Sequence, residues 1–237
     1  EIAQCLVGSE MCIRDRSWND LEAMLTGFAY DAYCNKSYEA ESNYFTVWDY
    51  AIDQGFAYGS GMGTNHHYGY QIRKIYTTAW LMRKAILKSS RRDDILKTLL
   101  FWSALQETRR PCAEIRDEML DSWNTLLQPK LISAMMIPDE CARVQALYGL
   151  SRWVSGSVNC TPGTIGGIKV DGTTFHHGGF YPAYTTGALA TVSDYIAMTG
   201  GTEFVPSLEA RRLLASAFTA MRNYCLLYTS PSPRDTE

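Results

Sequence analysis

The feature that most restricts the fold is a stripe of apolar residues at three- and four-residue steps. Ile72, Ile75, Tyr76, Ala79, Met82 and Ile86 recur at that spacing, which sets them on one face of an α-helix and leaves the two-residue period of a strand unserved. Similar patterning predicts a first helix over residues 21–33. Ser90, with Asp93 three residues on, offers an N-cap for a helix covering residues 95–105. A further helix is expected over residues 118–136, bent at Pro129, because proline lacks the amide donor and clashes with the preceding turn. Pro138 suits the first turn of the next helix, where Asp139 and Glu140 complement its positive N-terminal end, and that helix should run to about Ser155. Two more are expected at residues 183–198 and 207–223. No run of alternating residues marks a strand. The fold class read from this is all-α, with antiparallel helical hairpins joined as a toroid or solenoid, though self-similarity is too weak to fix a repeat period.

The two ends read differently from the rest. Residues 7–15 (VGSEMCIRD) and 225–235 (CLLYTSPSPRD) can be encoded by DNA strings that are reverse complements of each other and resemble a transposase-type sequencing adaptor. Residues 1–16 and 225–237 are therefore expected to be translated adaptor tails, and residues 17–224 an internal piece of a native domain. Without the tails, 22 basic and 25 acidic residues become 19 and 20. That near-neutral balance argues against a nucleic-acid-binding domain, and no apolar run approaches the roughly 18 residues of a membrane span. Four cysteines remain, Cys34, Cys112, Cys141 and Cys160. With no CxxC or zinc-like spacing among them, buried thiols are expected rather than a disulfide framework.

Two glycine-rich stretches interrupt the helices. Residues 58–70 (YGSGMGTNHHYGY) carry four glycines, and residues 156–182 carry seven. Long irregular segments inside compact domains are often functional. All four histidines lie in these stretches as adjacent pairs, His66 with His67 and His176 with His177. Three readings compete. The histidines can be loop residues bonded to backbone. They can ligate a metal, although neighbouring side chains on an extended chain diverge and no HxxxH or HExxH pair is present. Or they can serve acid–base chemistry with tyrosine, since residues 171–184 put His177 and Tyr184 in one segment with Pro182 stiffening the approach. A phenol of ordinary pKa about 10 is a poor base unless an imidazole or arginine favours its ionised form.

Residues 59–70, residues 121–126 (DSWNTL) and residues 169–184 (KVDGTTFHHGGFYPAY) together resemble chondroitin sulfate ABC lyases of polysaccharide lyase family 8. The likeness spans nearly all of residues 17–224, and its most specific part is the last stretch. It implies an α/α toroid, here incomplete, followed in the family by antiparallel β domains. The reaction it implies removes the C5 proton of a uronic acid and expels the C4 oxygen, leaving a 4,5-unsaturated product. Such a site must neutralise the uronate carboxylate, provide a base and provide an acid. Carried over by motif, Tyr184 is the general acid, and the base for glucuronate. His177 supports it and binds near the carboxylate, and the earlier pair, His66 before His67, handles the iduronate epimer.

Where the family members have an arginine or histidine before the catalytic histidine, this chain has His176, taken with His67 as a substrate contact. The family's catalytic arginine falls about where the second tail begins, and its glutamate farther on, so residues 17–224 alone are expected to be inactive. Trp48, Trp123 and Trp153 are available to stack on sugar faces, with Trp153 expected in the core and Trp123 and Asn124 as candidate substrate contacts. Arg73 and Lys74, beyond the first histidine pair, suit sulfate or carboxylate groups and equally a solvated helix face. The resemblance fixes no cofactor and allows a divalent cation, calcium or magnesium. The expected partner is an acidic polysaccharide met outside the cell or in the periplasm by a monomer. Hyaluronan or another uronic-acid polymer could replace chondroitin, and a non-catalytic glycan-binding toroid would keep the same motif. A glycoside hydrolase needs two carboxylic acids at the cleft, and the glycine-rich stretches offer only Asp171.

Overall fold

The computed structural model describes residues 18–112 and 119–228, and both terminal tails lie largely outside that range. The described residues divide into two compact units, one of residues 18–105 with 128–143 and the other of residues 106–112, 119–127 and 144–228. Helix dominates both, as the apolar periodicity requires.

The first unit holds α1 (Trp18–Asn35), α2 (Tyr38–Asp53), α3 (Asn65–Leu81), α4 (Arg83–Lys88) and α5 (Arg92–Trp102). Sequence periodicity did not pick out α2, whose signal is its cap: Ser37 Oγ accepts from the Ala40 N–H at 3.1 Å. The predicted stripe is realised across α3 and α4, with Ile72, Ile75, Tyr76, Ala79, Met82 and Ile86 all buried. Ser90 is not the N-cap of α5; Arg91 occupies that place without a side-chain cap bond. Aromatic rings fill the centre. Phe56 stacks on Trp48 with centroids 5.7 Å apart, Trp18 meets Phe56 edge-on at 5.5 Å, and Tyr68 contacts Trp102 at 5.3 Å.

The helix expected over residues 118–136 is observed as α6 (Met119–Asp121), a π-helical turn (Ser122–Leu126) and α7 (Leu127–Met135), its expected start at Glu118 lying outside the described residues. The irregularity therefore falls before Pro129 rather than at it. Proline cannot donate to the carbonyl one turn back, and a widened turn accommodates the missing bond.

After α8 (Glu140–Ser157), which Asp139 caps by accepting the Ala142 N–H at 2.7 Å, the second unit contains a small antiparallel sheet. Its strands are β1 (Gly167–Ile168), β2 (Thr174–His176) and β3 (Gly179–Phe180), in that order. No strand was legible in the sequence, because segments of two or three residues carry no alternation to detect. The chain then forms α9 (Pro182–Thr199) and α10 (Leu208–Tyr228). Ser207 Oγ accepts from the Ala210 N–H at 3.2 Å, and the Tyr195 hydroxyl donates to the Phe204 carbonyl at 3.3 Å, tying the α9–α10 connection to α9.

The cysteines differ from expectation. Cys34, Cys141 and Cys160 are exposed and Cys112 is half-buried, all as free thiols. Cys34 and Cys141 fall on outward-facing helix ends, where burial is set by the helix face and not by residue type. Among the described residues, no helix is long and apolar enough to cross a membrane.

Candidate active site

The second histidine pair is built by a hairpin. β2 pairs with β3 through Phe175 opposite Phe180 and His176 opposite Gly179, so the connecting turn is His177 and Gly178. Both have positive φ, 50° and 76°, the signature of a type I′ turn that matches the twist of the flanking strands. This conformation suits Gly178 and is unusual for His177. The end of β2 turns His176 inward, where it is wholly buried, while His177 in the turn is exposed at the tip.

The hairpin is supported from behind. Asp171 Oδ1 accepts from the Thr173 N–H at 2.9 Å and the Thr173 hydroxyl at 2.8 Å, and these bonds hold its carboxyl below the ordinary carboxylate range. Gly172, at φ 82°, lies against α10, where an added Cβ would stand 2.7 Å from the Ser216 carbonyl oxygen. Lys169 Nζ donates to the Thr161 carbonyl and hydroxyl at 3.2 and 3.0 Å and lies 4.7 Å from the Phe175 ring centre.

α9 begins directly after β3 and is latched to β2. The Tyr181 N–H donates to the Thr174 carbonyl at 3.2 Å, and the hydroxyls of Thr174 and Thr185 are hydrogen-bonded. Pro182 occupies the first turn, where its missing N–H costs nothing. Tyr184 follows in that same turn, at a helix end whose unpaired N–H groups favour nearby negative charge.

An aromatic cluster results. The Tyr184 ring centre lies 4.7 Å from His176, 5.0 Å from Tyr181 and 6.1 Å from His177. The two histidine rings are 3.8 Å apart. His176 Nε2 is 3.5 Å from Asp121 Oδ2 on α6, an ion-pair contact too long for a well-formed hydrogen bond. Among the described residues, neither ring nitrogen of His176 has a hydrogen-bond partner. One turn beyond Tyr184, Gly187 faces the Asn124 carboxamide in the π turn, and the Thr191 hydroxyl donates to the Asn124 carbonyl at 3.4 Å.

Two of the expected substrate contacts are buried in this structure. His176, taken as a substrate contact, has no exposed surface, because β2 turns it inward. Trp123, taken as a sugar-stacking residue, is also fully buried, and its Nε1–H donates to Ser157 Oγ at 2.9 Å. Tyr181, whose ring centre lies 5.0 Å from that of Tyr184, is exposed. Sequence reading gave no separate role to Tyr181 or to Asp121. Their spacing from the histidines becomes meaningful only once the hairpin and the π turn are formed.

The first histidine pair belongs to the first unit and is helical. α3 starts at Asn65, so His66 and His67 occupy its first turn and not a loop. Thr64 stands at the cap position with its hydroxyl 2.8 Å from His67 Nδ1. Asn65 Nδ2 donates to the Phe101 carbonyl at 2.7 Å. His66 is half-buried, His67 is exposed, and their rings are 4.4 Å apart. Arg73 is half-buried on α3, while Lys74 is ion-paired with Glu22 at 2.6 Å. Among the described residues, no three His, Cys, Asp or Glu side chains gather as a metal site would require.

An exposed imidazole and a phenol set together on a hairpin tip and a helix N-terminus, within an all-α framework, are equipment for moving protons at a polar substrate. The chain belongs to the family of lyase catalytic domains, whose model, described as "Lyase, catalytic", matches residues 7–233. It is 34% identical over 187 residues to a chondroitin sulfate ABC exolyase of Bacteroides thetaiotaomicron, covering 79% of this chain and 18% of that protein. A chondroitin sulfate ABC exolyase of Proteus vulgaris is 30% identical over 184 residues, covering 78% and 19%. A chondroitin sulfate ABC endolyase of the same organism is 29% identical over 163 residues, covering 68% and 16%. The chain thus spans less than a fifth of the length of these curated relatives.

Proposed function

We propose that the protein carrying this chain is a secreted or periplasmic glycosaminoglycan lyase that cleaves chondroitin and dermatan sulfate at the uronic acid by β-elimination. The observation that carries the reading is the pairing of exposed His177 with Tyr184, ring centres 6.1 Å apart, within a chain 34% identical to a chondroitin sulfate ABC exolyase. In this reading His177 holds the uronate carboxylate and the Tyr184 oxygen, ionised at the start of the cycle, takes the C5 proton. The electron pair left at C5 forms the C4–C5 double bond as the C4–O bond breaks. The leaving oxygen then receives that proton from Tyr184, which returns the side chain to its starting phenolate. The helix N-terminus beneath Tyr184 offers partial positive charge where negative charge develops.

The roles of His66 and His67 toward the iduronate epimer, and of Arg73 toward sulfate or carboxylate, are proposed from the sequence resemblance alone. Asn124, half-buried beside α9, is proposed as a substrate contact. Residues 17–224 are proposed as the native part of the domain.

The test is ultraviolet absorbance of the unsaturated uronate as the whole protein is mixed with chondroitin, dermatan or hyaluronan. A rise on chondroitin and dermatan that Tyr184→Phe abolishes supports the reading. A rise on hyaluronan alone reassigns the substrate, and no rise with any polymer from folded protein leaves a binding domain.

A further inference from the structure

Buried polar groups in native structures nearly always have a partner, and one that lacks it calls for a reason. His176 is wholly buried with neither ring nitrogen hydrogen-bonded among the described residues, and it stands 3.5 Å from the Asp121 carboxylate, itself only 5% exposed. A core position filled for stability alone would favour an apolar side chain over this pair, since desolvating charge costs more than such contacts usually return. The ring has a second relationship that an apolar residue would serve less specifically. It underlies both groups of the reacting pair, 3.8 Å from His177 and 4.7 Å from Tyr184.

We infer that Asp121 and His176 are positioning residues that fix the orientation of His177 and Tyr184, an inference that rests on the lyase reading above. The carboxylate stands 3.5 Å from Nε2, so its negative charge selects the ring orientation that turns this nitrogen toward it over the flipped alternative. With its edge set by Asp121, the ring presents its face to His177. The His177 backbone is already fixed by the type I′ turn, at φ 50°. Asp121 in turn is placed by the helix that widens into the π turn at Ser122, and the Thr125 hydroxyl donates to its backbone carbonyl at 2.8 Å. Among the described residues, the groups facing the His176 ring are Asp121 from α6, His177 from the hairpin, Tyr181 at the cap of α9 and Tyr184 in its first turn.

The experiment compares Asp121→Asn, His176→Gln and the double variant in the whole protein, reading kcat and KM on chondroitin alongside melting temperature. Positioning residues act on the reacting geometry, so each single variant should lower kcat on the order of tenfold while KM stays within about twofold. The double variant should lose no more than about the larger single loss, because both changes break one device. A purely structural pair would lower the melting temperature and leave kcat per folded molecule unchanged, which overturns the inference. So would a change confined to KM, or the failure of both single variants to fold. Absence of turnover in the parent protein is a separate outcome and counts against the lyase reading itself.

Discussion

Gly187 on α9 faces the carboxamide of Asn124 so closely that an added Cβ would stand 2.8 Å from Oδ1. The glycine is needed for this approach and not for an unusual backbone, since it lies inside a regular helix. One helical turn separates it from Tyr184, so the contact links the π turn to the face of α9 that carries the reacting phenol.

Gly187→Ala is therefore expected to push Asn124 away from α9. Overpacking of this kind costs about 1–3 kcal/mol, measurable as a lower melting temperature. Turnover should fall by more than the loss of folded protein accounts for, because the displaced group lies beside the site.

His177→Asn separates the turn from the chemistry. Asparagine tolerates positive φ and is a preferred residue of type I′ turns, so the hairpin should form and the melting temperature should hold or rise slightly. Activity should fall on the order of 10²–10³-fold, the usual range for removing a group that stabilises developing charge. Retained turnover would show that His177 takes no part in the reaction.

Trp123 and Tyr181 give opposite expectations. Trp123→Phe removes a buried indole and its hydrogen bond to Ser157, which should cost about 2–3 kcal/mol of stability with KM unchanged. Tyr181, exposed and edge-on to Tyr184 at 5.0 Å, is placed to meet a sugar ring. Tyr181→Ala should raise KM on the order of tenfold, and Tyr181→Phe should stay within about twofold. Steady-state kinetics on the three variants checks both.

Alkaline stability should depend on Tyr44. Its hydroxyl is 3.2 Å from Thr78 Oγ1 in the core of the first unit, and burial pushes its pKa up to about 12. The folded state thus holds this proton more tightly than the unfolded chain, where the phenol titrates near 10. The contribution is fully present below about pH 10 and is lost as pH rises through about 12. Melting temperatures across that interval should fall less steeply in Tyr44→Phe. Buried Tyr76 and Tyr195, raised for the same reason, add to the residual slope.

The sequence by itself determined the helical class, the stripe from Ile72 to Ile86, the acidic start of α8 and the neighbourhood of His177 and Tyr184. Each depends on signals between near neighbours: apolar spacing, acidic residues at a helix start, a histidine and a tyrosine in one short segment. The tertiary structure decided what those signals cannot carry. Whether a tryptophan stacks on sugar or fills a core depends on which elements pack over it, and Trp123 is covered. Which of two adjacent histidines faces solvent depends on strand register, which turned His176 inward and left His177 at the tip. Asp121 lies 55 residues before His176 in the chain. Only the packing of the π-turn helix against the hairpin and α9 brings its carboxylate to that ring, because contacts between distant segments are fixed by burial and shape and leave no local spacing to read.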